Sequence, residues 1–145
     1  MTRSLLISLV LLAAGAAPAQ AAERELWATV NICDTESHPN EIGIRASLPA
    51  RSVLVRFRVQ YRDTADGRWR WVRGANSGWR KARARESGWS FEVAGDGARI
   101  LRGVVNYRWT RRGKVVRRTR LTEVGHQSTA GADPADFSAA TCRIE

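Results

Sequence analysis

The chain has 145 residues, a formal net charge of +10 and 8 % aromatic residues, six of them tryptophan. That length suits one domain with a real core. Nearly all the positive charge is arginine, 22 Arg against two Lys, and an excess of this sign favours anionic surfaces as partners.

Residues 1–21 have the form of a secretory signal. Arg3 supplies the positive start, Leu5 to Ala14 is a short apolar run, and Ala19-Gln20-Ala21 is a small-x-small cleavage site. The run is too short for a comfortable membrane span. The mature chain is expected to begin at Ala22, and loss of Arg3 takes its charge to +9. No further stretch reaches membrane length, which predicts a secreted or cell-envelope protein without an integral span. Two cysteines, Cys33 and Cys142, remain. An even count in an exported chain reads as one disulfide.

Alternation with period two dominates residues 22–124 and predicts strands. Leu26, Ala28, Val30 and Ile32 mark the first, ending at Cys33. Ile42, Ile44, Ala46 and Leu48 mark the second, stopped by Pro49. The third carries Val53, Val55, Phe57, Val59 and Tyr61 on one face and Arg56, Arg58 and Arg62 on the other. Asp63 to Gly67 is a hairpin connection with Asp-Gly as its turn signal. A fourth strand returns over Arg68–Arg73, followed by a loop over Gly74–Gly78. The segment Trp79 to Arg85 reads either as an edge strand or as an irregular basic stretch. Trp89, Phe91 and Val93 form a short strand before Gly95-Asp96-Gly97. Leu101, Gly103, Val105, Tyr107 and Trp109 line a long strand that turns at Arg111-Arg112-Gly113 and returns over Val115–Thr122. Residues 125–145 are rich in Gly, Ala, Ser and Asp. Asp133-Pro134-Ala135-Asp136 predicts one helical turn with Asp133 as cap. A bond from Cys142 to Cys33 would tie this tail to the first strand.

The fold expected is therefore an all-β antiparallel sandwich with an irregular C-terminal tail pinned by a disulfide. The third and fourth strands and the Arg99–Thr122 hairpin resemble the C, C′, F and G strands of immunoglobulin-like and fibronectin-like domains. Tyr107-Arg108-Trp109 sits where that family often has an aromatic-x-core pair on strand F. The family's inter-sheet cysteine pair is absent. The tail, from Gly125-His126-Gln127-Ser128 through Asp133-Pro134-Ala135-Asp136 to Thr141-Cys142, resembles the C-terminal signature of short secreted actinobacterial proteins. That likeness implies an exported, Ig-like domain and nothing about chemistry.

Signatures of catalysis are thin. The histidines His38 and His126 both fall in loops, and a set of Ser128, His126 and Asp133 rests on sequence proximity alone. No Gly-x-Ser-x-Gly, phosphate loop or His-Glu-x-x-His occurs. Neither His38 with Asp34 and Glu36, nor Asp63 with Asp66, has metal-ligand density. No enzyme, metal or cofactor is expected. Trp89 and Trp109 read as core. Trp69, Trp71 and Trp79 have no assignable phase, and admit either core packing with solvated strand edges or an exposed Trp/Arg surface for sugars, anions or single-stranded nucleic acid. If the third strand lies beside the long hairpin, Arg56, Arg58, Arg102 and Arg108 share one sheet face, joined by Arg117 or by Arg118 and Arg120 according to register. The expected function is a non-catalytic binding or structural module whose basic face takes an anionic envelope polymer or another protein. The alternatives are a small secreted hydrolase or inhibitor with loop-borne residues and, below that, nucleic-acid binding.

Mass spectrometry of the exported product is expected to find a chain starting at Ala22. A product retaining Leu5–Leu12 contradicts the cleaved signal.

Overall fold

The computed structural model describes residues 25–49, 52–93 and 97–145. The export segment and the Gly95-Asp96 part of the expected turn lie outside them. The strands are β1 (Ala28–Cys33), β2 (Glu41–Ser47), β3 (Val53–Arg62), β4 (Arg70–Asn76), β5 (Arg80–Ala82), β6 (Glu86–Glu92), β7 (Arg99–Arg111), β8 (Lys114–Leu121) and β9 (Cys142–Ile144). All pairings between these strands are antiparallel. One sheet has the order β1-β2-β6. The other runs β4-β3-β7-β8, with β5 continuing the β4 edge beside β3 and β9 the β8 edge beside β7.

The alternating sequence dictates the packing. Val53, Val55, Phe57 and Val59 of β3 and Leu101, Val105, Tyr107 and Trp109 of β7 are buried. They form one core with Ala28 and Val30 of β1, Ile42, Ile44 and Ala46 of β2, and Phe91 of β6. Gly103 of β7 lies against Ile44 of the smaller sheet: a Cβ there would lie 2.7 Å from Ile44 Cδ1. Trp109 is core as expected, and Trp89 is half-buried against the core with the Arg80 guanidinium over its ring. At the β7–β8 hairpin, Arg112 (φ 49°) and Gly113 (φ 73°) both take left-handed backbone, the requirement of a tight two-residue turn.

Two expectations are corrected. The fourth strand does not end at Arg73 with a loop from Gly74. It spans Arg70–Asn76 with an irregularity, since Gln60 pairs with Trp71 whereas Arg58 pairs with Asn76. Buried Ala75 keeps the chain on the sheet, and Ser77 N–H donates to the Phe57 carbonyl beyond it. The segment 133–136 forms no helical turn. Phe137 N–H donates to the Pro134 carbonyl at 3.0 Å, but the Asp133–Pro134 bond is cis and Asp136 lies at φ 63°. The Asp133 carboxylate, expected as a cap, instead accepts from the Thr35 hydroxyl. Its N–H donates to the Asn31 carbonyl at 2.9 Å, so strand pairing overrides the local helical preference.

The tail is held along its length. Glu123 N–H donates to Ala28, and Val30 and Ala139 exchange two backbone hydrogen bonds at 2.9 and 3.0 Å. Thr122 Oγ1 donates to the Ala140 carbonyl at 2.6 Å. The Cys33–Cys142 disulfide, with Cα atoms 5.3 Å apart, then delivers β9 to the edge of β7. The segment 122–145 thus runs from the β8 end of one sheet, along the β1 edge of the other, and back. The edge of β1 is thereby covered, which removes a site for unwanted pairing.

The disulfide closes a loop with a sequence separation of 109. In the chain-entropy treatment such a loop gives about 4–5 kcal/mol. Cys142→Ser should lower the unfolding free energy toward that amount in denaturant titration. An unchanged midpoint would show that the hydrogen-bonded tail holds without the bond.

Candidate functional site

The register of the larger sheet fixes what its outer face carries. On β3 the inward residues are Val53, Val55, Phe57 and Val59, so Leu54, Arg56, Arg58, Gln60 and Arg62 point outward. Their partners on β7 are Arg108, Asn106, Val104, Arg102 and Ile100. Directly opposed residues share a face, so Arg56, Arg58, Arg102 and Arg108 stand together as the alternation implies. Arg62 joins them. The return strand contributes Arg117, paired with Arg108, whereas Arg118 and Arg120 oppose the inward Tyr107 and Val105. Arg120 instead donates from Nε to the Leu26 carbonyl at 2.7 Å. Nearby, Tyr107 donates to the Trp27 carbonyl at 3.2 Å. Burial pushes the Tyr107 hydroxyl well above its ordinary value, against a smaller opposing pull from Arg120.

The tryptophans without an assignable phase complete this face. Trp71 opposes Gln60 and is 47 % exposed, and Trp79 precedes β5 and is 38 % exposed. Guanidiniums lie on all three outer rings. Arg62 and Arg102 lie over Trp69, with centroid distances of 4.5 and 4.1 Å. Arg58 lies over Trp71 at 3.8 Å. Arg56 and Arg108 lie over Trp79 at 4.7 and 4.8 Å. The geometry of a strand permits this. Outward residues two apart are separated by about 7 Å, which leaves room for one planar group between them at van der Waals contact of about 3.5–4 Å. From Arg56 to Arg62 the strip is roughly 20 Å long.

Its electrostatics are one-sided. None of these five arginines has a carboxylate partner among the described residues, where the ion pairs of arginine lie elsewhere, such as Arg70 with Asp63. Arg102 Nε donates to Gln60 at 2.9 Å and Arg56 to Asn106 at 3.2 Å. The Nε atoms of Arg56, Arg58 and Arg62 are covered and unbonded. Desolvation, and then the neighbouring charge of Arg56, lowers the pKa of Arg58. Desolvation and Arg62 do the same to Arg102. Crowded like charges and unsatisfied donors both cost stability. Cation–π contacts offset part of that, each worth about 0.5–1 kcal/mol when exposed.

A second concavity, of ≈ 580 Å³, lies on the outer face of the smaller sheet and includes His38, Glu41, Arg45 and Trp89. His38 Nδ1 is 3.2 Å from Glu41, and its Nε2 is 3.9 Å from Asp133. These contacts join the β1–β2 turn to the tail. The other sequence candidates are dispersed. His126 stacks on Trp27 with centroids 4.4 Å apart and reaches Glu123 at 3.0 Å. Ser128 donates to Asp136, and Asp133 is held by Thr35. Asp34 accepts from the Asn40 N–H. Among the described residues no group of three or more His, Cys, Asp or Glu side chains has the arrangement to hold a metal ion. No helix among them is long and apolar enough to cross a membrane.

Sequence reasoning placed the four arginines but not their aromatic partners. The signal was present in Trp69-Arg70-Trp71 and Trp79-Arg80-Lys81, and its phase depended on pairing that local sequence does not fix. No family model, curated protein or solved structure matches this chain.

Arg58 and Trp71 make the shortest of these stacks. A double-mutant cycle with Arg58→Ala and Trp71→Ala should return a coupling of about 0.5–1 kcal/mol in unfolding free energy. A coupling of zero would mean the stack contributes nothing.

Proposed function

We propose that the chain is an exported, non-catalytic binding module whose Arg/Trp face takes an extended anionic polymer of the cell envelope. The carrying observation is the set of five guanidiniums stacked on three outward indoles with no carboxylate among them. Stacking restrains each guanidinium and leaves its in-plane N–H groups as the recognition element. Such groups suit oxyanions such as phosphate, sulfate or carboxylate. Rings already covered by guanidiniums offer less face to a base or a sugar, which favours a charge-reading surface over a stacking platform. Outward arginines two apart would meet a polymer with one anion about every 7 Å.

The architecture supports an immunoglobulin- or fibronectin-like assignment. The orders β1-β2-β6 and β4-β3-β7-β8 correspond to strands A-B-E and C′-C-F-G of that class. A disulfide fits an oxidising compartment outside the cytoplasm, in keeping with the signal-like residues 1–21.

Binding can be measured by calorimetry with long-chain polyphosphate and dextran sulfate, and with a neutral dextran as control. If about five charges are engaged, affinity should fall roughly a hundredfold between 50 and 200 mM salt. Replacing Arg56, Arg58, Arg102 and Arg108 together with Ser should abolish binding while the circular dichroism spectrum is kept. Equal binding by the quadruple variant, or equal binding of the neutral polymer, would refute the reading. Tighter binding of single-stranded DNA than of polyphosphate at matched charge would replace it with nucleic-acid recognition.

A further inference from the structure

At the N-terminal end of β3 the Arg/Trp strip runs into a groove of different character. In the sheet register Lys81, Leu54, Arg108 and Arg117 stand directly opposite one another across β5, β3, β7 and β8. One apolar side chain is thus set between cations on both sides. The neighbouring row adds Val115, which is 54 % exposed and paired with Thr110. Leu54, Lys81, Arg108, Trp109 and Val115 line a concavity of ≈ 450 Å³.

The outward phase of this sheet is otherwise basic or polar along β3, so Leu54 is out of pattern. It lies outside the core cluster. Leu54 is half-buried and Val115 exposed, and together they present apolar surface beside two cations. The volume lies in the range of sites for single small ligands, about 300–1,000 Å³. It is larger than a lone oxyanion needs and far smaller than a bilayer surface.

We infer that this groove binds a monomeric, single-chain anionic amphiphile, its alkyl chain on Leu54 and Val115 and its phosphate or carboxylate head between Lys81 and Arg108. The head forms charge-assisted hydrogen bonds. The chain gains from burial of its methylenes. The inference shares only Arg108 with the polymer reading, and the two can fail separately.

Alkyl phosphates from butyl to octyl, below their micellar concentrations, are titrated into the chain by calorimetry beside inorganic phosphate and octyl glucoside. Affinity should rise about two- to fourfold for each added methylene. Octyl phosphate should exceed both controls by at least tenfold. Val115→Asp, at an exposed position, should remove the dependence on chain length and leave polyphosphate binding intact. Leu54→Ser should do the same. An Arg58→Ser/Arg102→Ser variant should keep octyl phosphate binding while losing polyphosphate. Octyl phosphate binding no tighter than inorganic phosphate, or a chain-length dependence that survives in both groove variants, overturns the proposal. Binding to phosphatidylglycerol vesicles with no binding of the monomer overturns it too, in favour of a bilayer surface.

Discussion

Guanidinium-on-indole stacking is the interaction on which the outer face of the larger sheet depends. Five like charges within a strip roughly 20 Å long would repel and favour splaying into solvent. Each is instead laid over a Trp ring at 3.8–4.8 Å. The quadrupole of the ring takes up part of the charge. Val104, paired with Arg58, is buried although it faces away from the core. Desolvation and the neighbouring guanidiniums still lower the pKa of Arg58 and Arg102, and the unbonded Nε atoms add to that cost. No carboxylate stands among these arginines in the described residues, and an anion is a group that would relieve the residual repulsion.

That face needs a rigid support, which the rest of the chain supplies. The inner residues of β3 and β7 are buried to completion or nearly so, which locks the register that sets Arg56, Arg58, Arg102 and Arg108 side by side. The smaller sheet closes the core from the other side, with Gly103 allowing close contact to Ile44. The tail covers β1 and is fastened by Cys33–Cys142, and β9 then finishes the edge of β7 next to β8. His38, Glu41, Asp133 and Thr35 add a polar clasp between the β1–β2 turn and the tail.

Much of this was readable from alternation alone. Inward and outward phases of β3 and β7 follow directly from Val-x-Val-Arg-Phe-Arg-Val and from Leu101 to Trp109, because one face of each is uniformly apolar. The disulfide followed from cysteine count, and its partners needed no choice. Trp69, Trp71 and Trp79 were not readable, because β4 is irregular between Trp71 and Asn76 and β5 has only three residues, too few for a pattern. Arg117 separated from Arg118 and Arg120 only once pairing with β7 fixed the register. Asp133 misled for a physical reason: its local preference for a helix cap lost to a hydrogen bond with Asn31, about a hundred residues away in sequence.

The six indoles offer a direct test of the central claim, since three lie on the Arg/Trp face and Trp27, Trp89 and Trp109 do not. The measurement is an NMR titration of the chain with polyphosphate, following indole Nε1–H and arginine Nε–H signals. Saturable shifts of Trp69, Trp71 and Trp79 and of the arginines stacked on them are expected, with Trp27 and Trp89 unmoved. Shifts centred on Trp27 or Trp89, or spread evenly over all six rings, would contradict it.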